Sequence, residues 1–352
     1  MDNSKHSPLI EKDHRPKVSI VILNWNGLQH LKAFLPSVCA TNYENLEIVV
    51  GDNNSSDASV DFIKTNYPEI KLIINEHNYG FAKGYNEILK NVDSVYYVIL
   101  NSDVKVSGNW LSEIVDFMNN SPEVAACQPN IIDQKDPTKY EYAGAAGGFI
   151  DTLGYPFCRG RLFEAVEYIQ DSYSNNKEVF WASGACFIIR SELFHEMGGF
   201  DPDFFAHQEE IDLCWRLKNK GYQVWSLGEV NVYHLGGGAL NYGNPKKTFL
   251  NFRNNLILLT KNLCLMELLW KLPLRMLLDY VALFHFLFKG ELKHAFAVIK
   301  AHNSFERSLI KHLKKRNDPQ LRLRKHRGVF NGMIIVSYFL KGKKSYKALF
   351  NS

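Results

Sequence analysis

Val18-Ser19-Ile20-Val21-Ile22-Leu23 is an apolar, β-branched run closed by the turn signal Asn24-Trp25-Asn26-Gly27. It predicts a buried strand that stops abruptly. Working outward, residues 28–40 fit a helix and Leu46-Glu47-Ile48-Val49-Val50 a second strand, ending at Gly51-Asp52. Residues 56–66 fit a helix opened by Ser55-Ser56-Asp57. Lys71-Leu72-Ile73-Ile74 is a third strand, 81–91 a helix, and 95–100 a fourth strand. This alternation predicts an α/β fold, a mostly parallel sheet with helices on both faces. Ligands of such sheets bind beyond the carboxyl ends of the strands. Asn24, Asp52, Asn78 and Asp103 each follow a predicted strand, so all four are expected at one crevice.

Beyond residue 122 the pattern becomes mixed, with short strands at Val179-Phe180-Trp181 and Cys186-Phe187-Ile188-Ile189 and antiparallel pairing expected. Residues 211–220 read as a helix, and Val224-Trp225 and Val230–Tyr233 as two closing strands. Residues 246–300 are helical and rich in Leu and Phe. The apolar run Leu277–Phe288 is short of the ~20 residues that span a bilayer, so an in-plane amphipathic helix is expected. The domains are then a disordered lead-in at 1–16, a catalytic unit at 17–245, and a C-terminal region at 246–352 that is apolar, then basic.

The chain of 352 residues carries a net charge of +4. Residues 289–352 alone hold 16 Lys and Arg against 3 Asp and Glu. A basic tail on an acidic body calls for an anionic partner, and a membrane surface suits it better than nucleic acid. Nucleic acid is excluded because the run Lys311–Arg327 has no interleaved aromatic residues. The six cysteines form no Cys-x-x-Cys pair and read as reduced thiols of a cytoplasmic protein. Residues 1–17 lack the apolar centre of a signal peptide.

Two acidic segments carry the chemistry. Asn101-Ser102-Asp103 puts a carboxylate at the end of a buried strand. It suits either a divalent cation completed by phosphate oxygens or a plain turn and helix cap. His234 follows a strand and precedes glycines, so it is a second ligand for Mn²⁺ or a loop histidine. Glu209-Glu210-Ile211-Asp212 opens a helix. One acid satisfies a helix dipole, and three close together repel unless they have a use, such as accepting a proton. Asn78-Tyr79-Gly80-Phe81-Ala82-Lys83 enters a helix and offers its N-terminus and a lysine to a diphosphate. Asp52 can accept from a base imide or simply form an Asx turn.

Taken together, these motifs resemble the inverting glycosyltransferases of family 2, with the GT-A fold, in their rhamnosyltransferase-like branch. The resemblance covers roughly residues 17–240 and includes Gly184–Arg190 and Gly198-Gly199-Phe200-Asp201 through Leu213. It implies donor-binding residues Asn24, Asp52, Asn54, Asn78, Gly80, Lys83, Asn86 and Ser102, with Asp52 on the base and Lys83 near the diphosphate. It implies Asp103 and His234 as ligands of Mn²⁺ or Mg²⁺, and Trp181, Ser183 and Gly184 at the sugar and acceptor pocket. Glu210 falls at the position of the catalytic base, where the family usually has Asp, and Glu209 and Asp212 are its neighbours in that role. The family's Asp-x-Asp is reduced here to Asn101-Ser102-Asp103.

The implied activity is transfer of a sugar from a dTDP-, UDP- or GDP-sugar to a glycan or lipid-linked glycan, in cell-surface polysaccharide synthesis. The enzyme would sit peripherally on the cytoplasmic face of the plasma membrane. Two other readings compete. A sugar-phosphate nucleotidyltransferase needs a glycine- and arginine-rich loop after its first strand, and Asn24–His30 contains no arginine. A non-catalytic membrane scaffold would explain the altered Glu-Glu and Asn-Ser-Asp motifs.

Overall fold

The computed structural model describes residues 15–169, 173–236, 243–316 and 321–350. Most of the lead-in, and Gly237 and Gly238 of the glycine run, lie outside them. In chain order the elements begin β1 (Val18–Asn24), α1 (Leu28–Cys39), β2 (Leu46–Asp52), α2 (Ser59–Asn66), β3 (Lys71–Ile74) and α3 (Gly80–Leu89). Then come β4 (Tyr96–Asn101), β5 (Val104–Lys105), α4 (Trp110–Asn119) and β6 (Val124–Asp133). The middle of the chain holds β7 (Gly148–Asp151), β8 (Pro156–Cys158), β9 (Arg161–Leu162), β10 (Ala165–Val166), β11 (Lys177–Val179), β12 (Cys186–Arg190) and α5 (Ser191–Glu196). The remainder is α6 (Glu209–Asn219), β13 (Gln223–His234), α7 (Pro245–Asn262), α8 (Leu265–Phe288), α9 (Leu292–Lys314), β14 (Val329–Phe330) and α10 (Tyr346–Phe350).

The main sheet runs β11-β13-β6-β12-β4-β1-β2-β3, with β5 paired to β13. The strands β3, β2, β1 and β4 are parallel, whereas β12 is antiparallel to both β4 and β6. The sheet is therefore mixed: a parallel block β3-β2-β1-β4 from the first hundred residues and a parallel pair β6-β13 flank the antiparallel strand β12. A second sheet, β10-β9-β8-β7-β14, is added by the middle of the chain and by one strand of the C-terminal region.

Period-2 alternation places side chains on both faces of the sheet. On β4, Tyr97 and Ile99 enter one core with Tyr85 and Ile88 of α3, while Tyr96, Val98 and Leu100 enter the other with Leu31 and Leu35 of α1. Helices thus cover both faces, as the alternation predicts. The two closing strands expected at 224–233 are one strand, β13, whose register against β6 shifts between Leu227 and Asn231. A bulge there absorbs residues that read as a break in sequence. The helix α7 packs Leu256, Ile257 and Leu259 into the same cluster as Phe180 and Trp215.

Candidate active site

The strand ends meet through a chain of amides. Asn24 and Asp52 are register partners at the ends of β1 and β2. Asn24 Nδ2 donates to Asp52 Oδ2 at 3.0 Å, and Ser55 N donates to Asp52 Oδ1 at 2.8 Å. Asn24 Oδ1 is buried with no partner among the described residues. A side chain at Gly27 would come within 2.5 Å of that oxygen, so only glycine leaves it open. Asn53, whose place in the Asp52–Asp57 motif suggested no role of its own, ties the crevice together. It donates to Asn78 Oδ1 and the Gly80 carbonyl and accepts from Asn75. Asn54 is exposed in a left-handed conformation (φ 61°).

The N-terminus of α3 differs from expectation. The Phe205 carbonyl accepts from Phe81 N and Ala82 N, and Asn78 Oδ1 accepts from Gly80 N. Those amides are already engaged, so the helix end binds the 205 loop rather than presenting them to a diphosphate. Gly80 (φ 74°) is required because a side chain there would meet the Phe205 ring at 2.7 Å. Lys83 Nζ lies 3.9 Å from the centre of the Tyr79 ring. Asn86 is turned away from the crevice, because both ends of its amide bind the backbone of Phe200. Ser102 is partly exposed in the turn between β4 and Asp103.

Sheet register brings Asp103 to His234. Val104 pairs with His234 across β5 and β13, and His234 Nε2 lies 3.1 Å from Asp103 Oδ1. The other ring nitrogen, Nδ1, lies 3.3 Å from Glu141 Oε2. All three side chains are buried. Burial opposes a charge on His234, yet the hydrogen bond to Asp103 and the nearby Glu141 carboxylate push the imidazole up to about 10. Glu141 was not anticipated, since no local pattern marks an acid that is functional only through a partner 93 positions away.

An imidazole bridging two carboxylates through opposite nitrogens cannot bring all three onto one ion. Accordingly, no group of three metal-ligating side chains converges among the described residues. A pair remains. Asp103 suits Mn²⁺ or Mg²⁺ when phosphate oxygens and water complete the shell, and His234 Nε2 would join it on giving up the proton it shares with Asp103. A cavity of about 160 Å³ lined by Glu141, Tyr142, Lys135, Leu235 and Gly236 opens beside this row.

Glu209 and Glu210 begin α6 after a strained loop. Phe205, His207 and Gln208 all have positive φ (63°, 70° and 72°). Non-glycine residues hold such angles only where the surroundings enforce them. Here α7 enforces them. Asn254 Nδ2 donates to the carbonyls of Phe204, Ala206 and His207, and Arg253 donates to those of Asp203 and Phe204. The polar string Asn251-Phe252-Arg253-Asn254-Asn255 inside an apolar helix was the legible signal for this role.

The Oε2 atoms of Glu209 and Glu210 are buried and lack hydrogen-bond partners among the described residues. Burial pushes the Glu210 carboxyl up to about 7. Burial, and then the Glu210 charge, push Glu209 up as well. Asp212 behaves oppositely. Burial alone would raise it, but Lys261 and Arg216 hold it low. Lys261 and Arg216 donate to its Oδ2, and Asn262 to its Oδ1. Asp212 is thus a structural anion at the α6–α7 junction, not a free base.

Glu141 and Glu210 both raise the Cys158 thiol, after burial itself. The expected pocket residues lie deeper. Trp181 donates its indole N–H to the Phe149 carbonyl and packs on Gly148. Ser183 is bound to Gln128 and to the Ala143 carbonyl. Gly184 is partly exposed beside the Phe81 ring.

The architecture is that of the GT-A fold. Residues 19–198 match the profile described as Glycosyl transferase family 2. The chain belongs to that family and is a glycosyltransferase. It is 23% identical over 233 residues to N-acetylglucosaminyl-diphospho-decaprenol L-rhamnosyltransferase of Mycobacterium tuberculosis, covering 61% of this chain and 75% of that protein. It is 22% identical to the low-salt glycan biosynthesis hexosyltransferase Agl10 of Haloferax volcanii, covering 68% and 74%.

Among solved structures, GalNAc-T7 with UDP, GalNAc and Mn²⁺ aligns with a TM-score of 0.55 at 16% identity, over 70% of this chain and 48% of that one. The mannosyltransferase PcManGT of Pyrobaculum calidifontis, in complex with GDP-Man and Mn²⁺, aligns with a TM-score of 0.50 at 14% identity, over 86% and 87%. These two establish the fold. The nucleotidyltransferase and scaffold readings are not favoured.

Proposed function

We propose that the chain transfers a sugar, with inversion, from a nucleoside-diphosphate donor to a hydroxyl of a glycan or lipid-linked glycan, with Glu210 as the base. The observation that carries this reading is the pair of unpartnered, burial-raised carboxylates at Glu209 and Glu210. Glu210 is the more exposed of the two, and a carboxyl raised to about 7 suits proton transfer near neutral pH.

Glu210 accepts the proton of the acceptor hydroxyl as that oxygen bonds to the anomeric carbon. The bond from this carbon to the diphosphate oxygen breaks, and its electron pair leaves with the nucleoside diphosphate. Asp52 and the open Asn24 Oδ1 would hold the nucleoside, and Lys83, now over the Tyr79 ring, would turn to the diphosphate. Asp103 and His234 would hold the metal. When bound, Mn²⁺ or Mg²⁺ neutralises the negative charge that builds on the leaving diphosphate.

The names of the relatives support this reading. One acts on a diphospho-decaprenol acceptor, and the two solved structures hold Mn²⁺ with UDP or with GDP-Man. A lipid-linked acceptor places the enzyme at a membrane surface, on its cytoplasmic face. No described helix is long and apolar enough to cross a membrane, so attachment would be peripheral.

The test is a screen of dTDP-, UDP- and GDP-sugars for nucleoside-diphosphate release, with Mn²⁺ and with a chelator. With the active donor, Glu210→Gln should lower kcat about 10²–10⁴-fold with little change in donor KM. Wild-type turnover by that variant, or a product of retained configuration, would reject the assignment.

A further inference from the structure

The helix α8 is amphipathic in reverse. Its protein-facing side carries Glu267, Lys271, Arg275 and Asp279, four residues apart and all buried. Lys271 pairs with Glu267 at 2.8 Å, and Arg275 pairs with Asp279. His302 of α9 reaches Asp279 at 3.1 Å, and Arg275 donates to Asn255 of α7. The outward side carries Met266, Trp270, Leu277, Val281, Phe284 and Phe288, with Phe288 89% exposed. A helix washed by water places these two sides the other way round. Phe296 and Ile299 extend the apolar surface onto α9. A patch of this extent marks a contact surface.

What covers it is indicated at the start of α8. A cleft of about 700 Å³ is lined by Met266, Trp270, Lys271, Arg322, Arg324 and Lys325, with Thr152, Glu267 and Asn331. Met266 and Trp270 therefore belong to both the cleft and the apolar face. Glu267, its only lining carboxylate, is already bound to Lys271 and to Leu323 N. Arg322, Arg324 and Lys325 are exposed and have no carboxylate partner among the described residues. A second copy of the chain docked face to face would bring like charge to like charge. An anionic phospholipid offers acyl chains to the face and a phosphate to the cleft.

We propose that this cleft binds the phosphate headgroup of an anionic phospholipid while α8 and α9 lie in the plane of its leaflet. The proposal rests on the peripheral-membrane reading above and adds a site to it. Seating the headgroup there would hold the enzyme on one face of the membrane and fix how its crevice meets a lipid-borne acceptor.

The experiment is flotation of the full chain with vesicles of phosphatidylcholine alone or mixed with phosphatidylglycerol. Three proteins are compared: wild type, the triple variant Arg322→Gln, Arg324→Gln, Lys325→Gln, and the face variant Phe284→Ser, Phe288→Ser. Slow donor hydrolysis at the wild-type rate shows that each variant is folded. The triple variant should lose about a hundredfold in affinity for the mixed vesicles. It should match wild type on phosphatidylcholine, and inorganic phosphate should not displace wild type from mixed vesicles. The face variant should bind both vesicles more weakly. Wild-type binding of mixed vesicles by the triple variant overturns the headgroup site and leaves the peripheral reading standing. Displacement by inorganic phosphate overturns it in favour of a soluble anion. If wild type binds neither vesicle and is a dimer by light scattering, the peripheral reading itself fails.

Discussion

Glu209, Glu210 and Asp212 share one helical turn and differ by environment, not by charge. Asp212 is matched by Lys261, Arg216 and Asn262, whereas the two glutamates face burial with no donor for their Oε2 atoms. Opposite environments assign opposite roles to like groups. The same difference acts on stability. The Glu210 carboxyl is raised in the folded state, so the folded protein favours its protonated form. Its contribution to stability is complete below about pH 4 and is lost as pH rises through about 7. Glu210→Gln removes that pH-dependent loss. The variant should be more stable than wild type at pH 8 by about 2 kcal/mol and no more stable at pH 4. Calorimetry at the two pH values checks this, and equal melting at both would show that the carboxyl is not strained. An enzyme that is more stable without its base is expected where function and folding conflict.

At the scale of elements, the loop before α6 owes its shape to α7. One amide, Asn254 Nδ2, serves the carbonyls of Phe204, Ala206 and His207 at 3.0, 2.9 and 2.7 Å. The next turn of that loop carries Glu209 and Glu210, and its Phe205 carbonyl caps α3. The α7 contact thus positions the proposed base and the donor-side helix together. Asn254→Ala should cost about 1–3 kcal/mol by leaving buried carbonyls unpaired. It should lower kcat at least tenfold with little change in donor KM, since the loop's geometry and not its charge is altered. Asn254→Leu is the sharper probe. It keeps about the size and loses the N–H groups without adding charge, so it should behave as the alanine variant does. Full activity in Asn254→Leu would show that the loop holds its shape unaided.

For the molecule as a whole, the C-terminal helices are not an appendage. Leu256, Ile257, Leu258 and Leu259 of α7 are fully buried in the cluster that also holds Phe180 and Trp215. The helix α9 returns to the catalytic unit, where Lys315 pairs with Asp201 at 2.7 Å. A chain ended after residue 244 would expose that cluster and leave Asp201 and Asp212 buried beside each other without Lys261. We expect it to be insoluble, or to lack a cooperative thermal transition. A soluble, cooperatively melting fragment would show that residues 17–245 close a core of their own.

What the sequence by itself determined is the alternating unit and the identity of the residues at its strand ends. Strand, turn and helix periodicities are local, and a residue at a strand end is placed by its neighbours in the chain. Asn24, Asp52 and Asp103 needed nothing more to be found. Only the tertiary structure decided what those residues face. His234 meets Asp103 through the pairing of β13 with β5, and Glu141 completes the row from the connection between β6 and β7. The same pairings turned Asn86, Trp181 and Asp212 inward, onto backbone and ion-pair partners that lie far away in sequence. The apolar stripe of α8 was legible, but a helical pattern holds two stripes and does not say which one meets the protein. The ion pairs within that stripe and its hydrogen bonds to Asn255 of α7 and His302 of α9 made that choice, because a charged stripe can be buried only where its partners are waiting.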